Sequence, residues 1–278
     1  MKRSTKSLHG LGLPRWWFHI VALALSLSYT EDLDCLELFD GAGQWTNGML
    51  DVGYRTEGFD YINDPTQDLM TKDGLLCLIH KLLRLREGGL LNIAIPCGCW
   101  VWISRGRHKR TLYAPAGRPG QQSKWVFDNN NLASVVSYII LTAVAFGIHI
   151  MVENPKTSVI WRFFPIAGAL GRVRARRVCI SMGSFNGASE KHLIINGTPD
   201  WLLNLAWVSK SPKPSLKNKA YLCDITTQGG RTKVKGKPKC LMQSAMYTYE
   251  YGVVCGMLLR GDSRDDVAKW LLRRIGRG

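Results

Sequence analysis

Cys97 and Glu153 are the side chains that the sequence places best for covalent and proton-transfer chemistry. Cys97 follows Pro96 at the end of the apolar run Leu90 to Ile95. A thiol attacks carbon as its thiolate, which calls for a depressed pKa or a base beside it. Glu153 closes a second apolar run, Ile148 to Val152, and leads into Asn154 and Pro155. Burial at a strand end penalises the charged carboxylate, so such a group keeps a proton near neutral pH and can deliver it. A third group, Phe39-Asp40-Gly41-Ala42-Gly43, ends the apolar stretch from Cys35 and precedes a helix-compatible segment, Trp45 to Leu50. Gly41 and Gly43 permit a sharp turn and close approach of a ligand to backbone N–H groups. The turn is not a dinucleotide fingerprint, because Thr46 stands where a third glycine belongs, and no Gly-Lys-Ser/Thr follows to make a P-loop.

The elements that must position these groups alternate in type. Strands are expected at Cys35 to Phe39, Arg55 to Phe59, Leu90 to Ile95 and Ile148 to Val152. A helix is expected from Leu75 to Arg86, stopped by Glu87-Gly88-Gly89, and another from Asn131 to Phe146. The near-continuous apolar character of Leu90 to Ile95 is that of a central parallel strand. Gly98 to Lys124 is a long irregular loop carrying Arg105, Arg107, His108, Lys109, Arg110 and Arg118 and no acid. Val178 to Ser181 and Leu193 to Ile195 read as antiparallel strands, and Asp265 to Ile275 as a short basic helix. Each reactive group taken singly reads more readily as structural, a cysteine after a strand or a strand-ending turn. Their common position at carboxyl ends of strands, where open α/β sheets bind ligands, sets them apart.

The 278 residues carry a formal net charge of +16, with 46% hydrophobic residues. That content supports a buried core and excludes global disorder. The positive excess points to a polyanion, with nucleic acid first. Of the eight cysteines, Cys35, Cys77, Cys179 and Cys255 sit in apolar runs as small buried residues. Cys97 and Cys99 lack a second Cys/His pair at zinc spacing, so no metal is expected and a reducing compartment is favoured. Trp16 to Leu27, preceded by Lys2, Arg3, Lys6 and Arg15, resembles a secretory signal but contains His19 and lacks a clear cleavage site. At that length it is too short to span a membrane. A leading helix and an intracellular protein, nuclear or cytoplasmic, are expected.

Phe39-x-Gly41-x-Gly43, then Pro96-Cys97, then Glu153-Asn154 resembles, in order and placement, the cytosine-C5 DNA methyltransferases. The resemblance spans Leu36 to Ser158 and is similar also to compact methyltransferase-like proteins of phages and mobile elements, which carry Glu-Asn-Pro at the last motif. It implies a Rossmann-like, class I S-adenosylmethionine-dependent fold: a mostly parallel sheet with helices on both faces, plus a small irregular basic C-terminal part. Cys97 would add to cytosine C6, and Glu153 would contact ring N3. S-adenosylmethionine would lie against Phe39, Gly41, Gly43 and Pro96, with Asp60 (or Glu57) on its ribose and Asp68 on its adenine. DNA, with RNA as the alternative, would meet Asn154, Arg105, Arg107, Arg110, Arg174 and Arg176. Trp100 and Trp102 would flank a flipped-out nucleotide in the basic loop, or else anchor the core.

The sequence departs from the family at Gly98, where a Gln is usual, and at Arg172-x-Arg174-x-Arg176, which lacks the leading Gln of a Gln-x-Arg-x-Arg motif. No large target-recognition domain and no late Gly-Asn motif is visible. An alternative is therefore a nucleic-acid-binding protein of this fold without catalysis. The expected organisation is an N-terminal extension (1–30), a catalytic domain (31–208), a basic appendage (209–240) and C-terminal helices packing on the domain (241–278), as a monomer.

Overall fold

The computed structural model describes residues 3–210, 223–228, 231–237, 239 and 246–276. The central sheet has six strands: β1 (Leu33–Leu38), β2 (Thr56–Phe59), β3 (Leu85–Ala94), β4 (His149–Pro155), β5 (Arg176–Ser181) and β6 (His192–Gly197). Their order across the sheet is β2-β1-β3-β4-β6-β5. β1 pairs in parallel with β2 and β3, and β3 pairs in parallel with β4. β6 runs antiparallel between β4 and β5, as the sequence led us to expect for this pair. The sheet is mixed but mostly parallel, an α/β architecture compatible with a Rossmann-like fold. The chain leaves β1 toward β2 on one side and returns to β3 on the other, so a switch point lies at the carboxyl ends of β1 and β3.

Alternation along the strands divides the core in two. Leu36, Leu38, Leu91, Ile93, Ile150 and Val152 face one layer of helices: α1 (Arg15–Ser26), α3 (Lys72–Arg84), α5 (Lys124–Ala145) and α6 (Phe164–Arg172). Cys35, Leu90, Met151, Ile180, Leu193 and Ile195 face the other: α2 (Gln44–Asp51), α7 (Leu202–Lys210), α8 (Tyr249–Arg260) and α9 (Arg264–Ile275). The 1–30 segment belongs to the first layer, since Trp17, Val21 and Ala24 of α1 are buried in its core and Trp17 donates to Thr142 Oγ1 at 2.8 Å.

α8 lies unusually close to α2. A Cβ at Gly252 would stand 2.5 Å from the Trp45 carbonyl oxygen, and one at Gly48 would stand 2.6 Å from the Tyr249 carbonyl oxygen. Only glycine on both sides permits this backbone-to-backbone crossing. It joins the helix after the glycine turn to the C-terminal part of the chain.

Several boundaries differ from expectation. The helix expected to reach Arg86 ends at Arg84, and the chain turns straight into β3, where Leu85 already pairs with Leu33. Arg3 caps that helix end, donating to the Leu82, Leu83 and Leu85 carbonyls. α5 begins at Lys124, well before Asn131, because Ser123 accepts from Val126 N and starts the helix. Within the expected irregular loop there is a short helix, α4 (Arg105–His108). Half of the 209–240 appendage lies outside the described residues. Its described part includes the end of α7 and a hairpin, β7 (Cys223–Gln228) with β8 (Arg231–Gly236), where an unstructured segment was expected.

Candidate active site at the carboxyl edge of the sheet

β1 runs out through three left-handed residues, Phe39 (φ 66°), Gly41 (φ 52°) and Gly43 (φ 64°). Gly43 caps α2, while Phe39 holds a conformation costly for a bulky side chain. The turn is held from β2. Asp60 Oδ2 accepts from Gly41 N at 3.0 Å, and Asn63 Nδ2 donates to Asp40 Oδ1 and to the Gly41 carbonyl. A Cβ at Gly58 would overlap the Asp40 carboxyl, so that glycine makes room for the turn. Burial, and then the charge of Asp60, raise the Asp40 pKa. Nothing lies within 4 Å of where a Gly41 side chain would start, so the outer side of the turn is open.

A cleft of about 240 Å³ sits at the switch point, lined by Phe39, Phe59, Asp60, Asp68, Leu69 and Pro96 among others. It gathers four of the six residues expected to hold a cofactor. Tyr61 and Ile62, 59% and 71% exposed, also line it and leave apolar surface at its rim. Asp68 spends Oδ1 on Met70 N, leaving its second oxygen for a ligand. Asp60 is more committed: Oδ2 accepts from Gly41 N and Oδ1 from Ile62 N, and the residue is 5% exposed. These two bonds hold the glycine turn beside the place where a ribose contact was expected of this acid. The alternative acid, Glu57, is ion-paired with Lys81 and Arg84.

On the other face of the sheet lies a polar row that the apolar strand pattern had concealed. Glu37 on β1 is in register with Asn92 on β3, and Glu153 on β4 with Ala94 on β3. By alternation Glu37, Asn92 and Glu153 share a face. Glu37 Oε2 accepts from Thr46 N and Oγ1, and burial pushes its carboxyl up to about 8. Glu153 is 5% exposed, and Oε2 accepts from Tyr247 Oη at 3.2 Å. Burial raises its pKa, against the opposing effects of Lys191 and Tyr247. The direction is the one expected from its strand-end position. Glu37 faces the Asn92 amide, and Trp45 Nε1 and Tyr251 Oη face the Cys255 thiol; Glu153 Oε1 is buried and lacks a hydrogen bond among the described residues. Such an atom binds water or ligand, because an unsatisfied buried polar group costs about 1–3 kcal/mol.

Cys97 follows β3 at the same edge. Its thiol pKa is raised by burial and by Glu153, with Lys191 pulling it down. The expected depressed pKa is therefore absent, and a nearby base is the remaining route to the thiolate. Asn154, expected to touch nucleic acid, is fully buried on the opposite face and donates to the Ile95 carbonyl at 2.7 Å. It ties the end of β4 to the backbone just before Pro96 and Cys97. The bond bridges the very strand ends that carry the two reactive side chains.

The basic residues divide. Arg105 and Arg107 are exposed, and Arg107 lies over the Trp125 ring at 4.5 Å. Arg110 is fully buried and no phosphate contact is open to it. Its guanidinium stacks 3.7 Å from the Trp100 ring centroid and donates to Cys99 Sγ and to the Val126, Asn130 and Pro115 oxygens. Trp100 is likewise buried and anchors the loop, whereas Trp102 is 44% exposed. Arg174 and Arg176 stand at the far end of the sheet: Arg176 pairs with Gly197, and Gly197 with Met151, four residues before Pro155. They do not share a site with Cys97 and Glu153, and Arg176 is ion-paired with Asp200.

Tyr247, Lys191, Glu37 and Asn92 had no sequence motif to mark them. A single polar residue within each of the runs 35–38 and 90–95 was the available signal for Glu37 and Asn92. The chain matches no protein-family model, and no curated protein sequence matches it significantly.

Proposed function

We propose that the chain methylates cytosine C5 in DNA, using S-adenosylmethionine and a transient covalent adduct of Cys97. The observation that carries this reading is the convergence of Cys97, Glu153 and the Phe39–Pro96 cleft at one sheet edge. The fit of the methyl donor rests on that cleft. Phe39, Phe59, Leu69 and Pro96 offer apolar walls for a planar base, Asp68 has an oxygen free for an amino group or hydroxyl, and Gly41 leaves the backbone approachable. When bound, the donor supplies an electrophilic methyl group.

The residues of the chain do the rest. The Cys97 thiolate bonds to C6 while protonated Glu153 gives its proton to N3, which makes C5 electron-rich. C5 takes the methyl group, whose donor would leave as its neutral thioether; water takes the C5 proton as the C6–S electrons return to sulfur, and N3 gives its proton back to Glu153. Asn154 keeps the two strand ends in register throughout. Arg105 and Arg107 meet the backbone phosphates.

The second reading, a nucleic-acid-binding protein without catalysis, is favoured by one observation: burial raises the Cys97 thiol. DNA and RNA carrying 5-fluorocytosine separate the readings, because fluorine blocks loss of the C5 substituent and traps the adduct. A covalent complex with DNA that Cys97→Ser abolishes and Cys99→Ser retains supports the first. Adduct with RNA alone changes the substrate. Binding of both donor and nucleic acid without any adduct leaves the second.

A further inference from the structure

We propose that Tyr247 is the positioning residue for Glu153, fixing one carboxyl oxygen so that the other faces the substrate ring. The proposal rests on the cytosine reading of the site. Glu153 Oε2 accepts from Tyr247 Oη at 3.2 Å, whereas Oε1 is buried and has no hydrogen bond among the described residues. A carboxyl held at one oxygen cannot rotate freely, and orienting a reacting group this way lowers the entropy cost of the chemical step. Tyr247 is itself well supported. Its ring packs on Tyr251 at 5.1 Å, and Tyr251, fully buried, packs on Phe185 at 5.4 Å. Thr248 then caps α8, its hydroxyl accepting from Tyr251 N. The Gly48–Gly252 crossing sets that helix against α2. The hydroxyl thus comes from an element that is fixed at backbone level to the helix after the glycine turn.

Tyr247 also lines a second cleft, of about 390 Å³, with Gln44, Met182, Ser189, Thr248 and Tyr249. The cofactor candidates line a separate cleft, bounded by Phe39 and Leu132. The two clefts lie toward opposite faces of the sheet edge, and in this proposal a nucleobase approaches Glu153 from the Tyr247 side. The groups facing Glu153 come from several elements: Lys191 from the segment before β6, Cys97 after β3, and Tyr247 and Tyr251 at the start of α8. Glu37 on β1 interacts with the same two tyrosines.

The test uses Tyr247→Phe in the full chain, which keeps the ring and removes only the hydroxyl. Carboxyl-carbon NMR of protein labelled at glutamate follows Glu153 directly, with Glu153→Gln and Glu37→Gln assigning the two raised resonances. The hydroxyl stabilises the carboxylate, so its loss should move the Glu153 titration midpoint upward and leave that of Glu37 in place. With methyl transfer as the second readout, kcat should fall by about tenfold or more, and the acid-dependent limb of the pH profile should move with the carboxyl. A Glu153 midpoint unchanged in Tyr247→Phe overturns the proposal, as does a moved midpoint with unaltered kcat. If the wild-type protein methylates no cytosine, the functional reading fails and the catalytic role of Tyr247 with it. The titration still decides separately whether Tyr247 holds the carboxyl.

Discussion

Replacing Glu37 by Gln should abolish a specific loss of stability as pH rises from about 5 to about 8. Glu37 is fully buried, and its carboxyl is pushed from 4.5 up to about 8. Between these values the unfolded chain has released the proton and the folded chain retains it. Stability therefore falls as pH rises, because the unfolded state binds fewer protons than the native one. At about 1.36 kcal/mol per pH unit, the gap corresponds to about 5 kcal/mol, of which roughly 3.5 falls between pH 5 and pH 8. Gln at this position keeps an oxygen to accept from Thr46 N and Oγ1, the two donors that hold Glu37 Oε2. The variant should thus match wild type near pH 5 and exceed it by several kcal/mol at pH 8. Urea unfolding at the two pH values, read by tryptophan fluorescence, gives both numbers. Glu153 contributes a loss of the same sign in both proteins, so the comparison between them isolates Glu37. Parallel pH dependence in wild type and variant would refute the burial argument.

Gly252→Ala should destabilise by about 1–3 kcal/mol, because a methyl group meets the Trp45 carbonyl in a crossing that has no space for it. A change below about 0.5 kcal/mol by chemical denaturation would mean that the crossing yields. Arg110→Ala should cost about 2–4 kcal/mol by stranding the Val126, Pro115 and Asn130 oxygens, whereas Arg105→Ala with Arg107→Ala should leave stability nearly unaltered. If the exposed pair meets phosphates, the same double change should lower the slope of log affinity against log salt by about two, and an identical slope removes this loop from the interface. Lys191→Met should push the Cys97 thiol further up and slow its alkylation by iodoacetamide at pH 8, as followed by peptide mass spectrometry. An unaltered alkylation rate would exclude Lys191 as the cation acting on that thiol.

The frame of the sheet was legible because its signals are local. Cys35 to Leu38 and Leu90 to Ile95 are apolar but for Glu37 and Asn92, and Gly41 and Gly43 mark the turn that does form. The cleft residues followed from position alone, since what ends a strand at the switch point must line it. Asn154 misled because an amide next to a reactive carboxyl reads as a ligand contact. Its side chain lies on the other face, one step of alternation away. Arg110 misled because charge suggests solvent, yet its planar guanidinium stacks on a buried indole and satisfies several carbonyls at once. Arg174 and Arg176 misled because they precede and open β5, which runs in the same direction as β4 and so begins at the edge opposite the strand ends. Tyr247 is recognisable only in three dimensions, being brought to Glu153 by a helix crossing between parts of the chain far apart in sequence.

That crossing has a consequence for the order of events during synthesis. Gly48 emerges from the ribosome early and Gly252 about two hundred residues later, and contacts this distant in sequence form slowly because the intervening chain must first be closed. Until α8 arrives, the face of α2 that receives it, with Trp45 and the Glu37 carboxyl beneath, has no cover from the C-terminal side. Nascent chains arrested before residue 246 should therefore hold Cys97, Glu153 and the glycine turn on a sheet whose second layer is incomplete. Protease resistance at β1 and α2 should appear in one step, only as 247–260 are released.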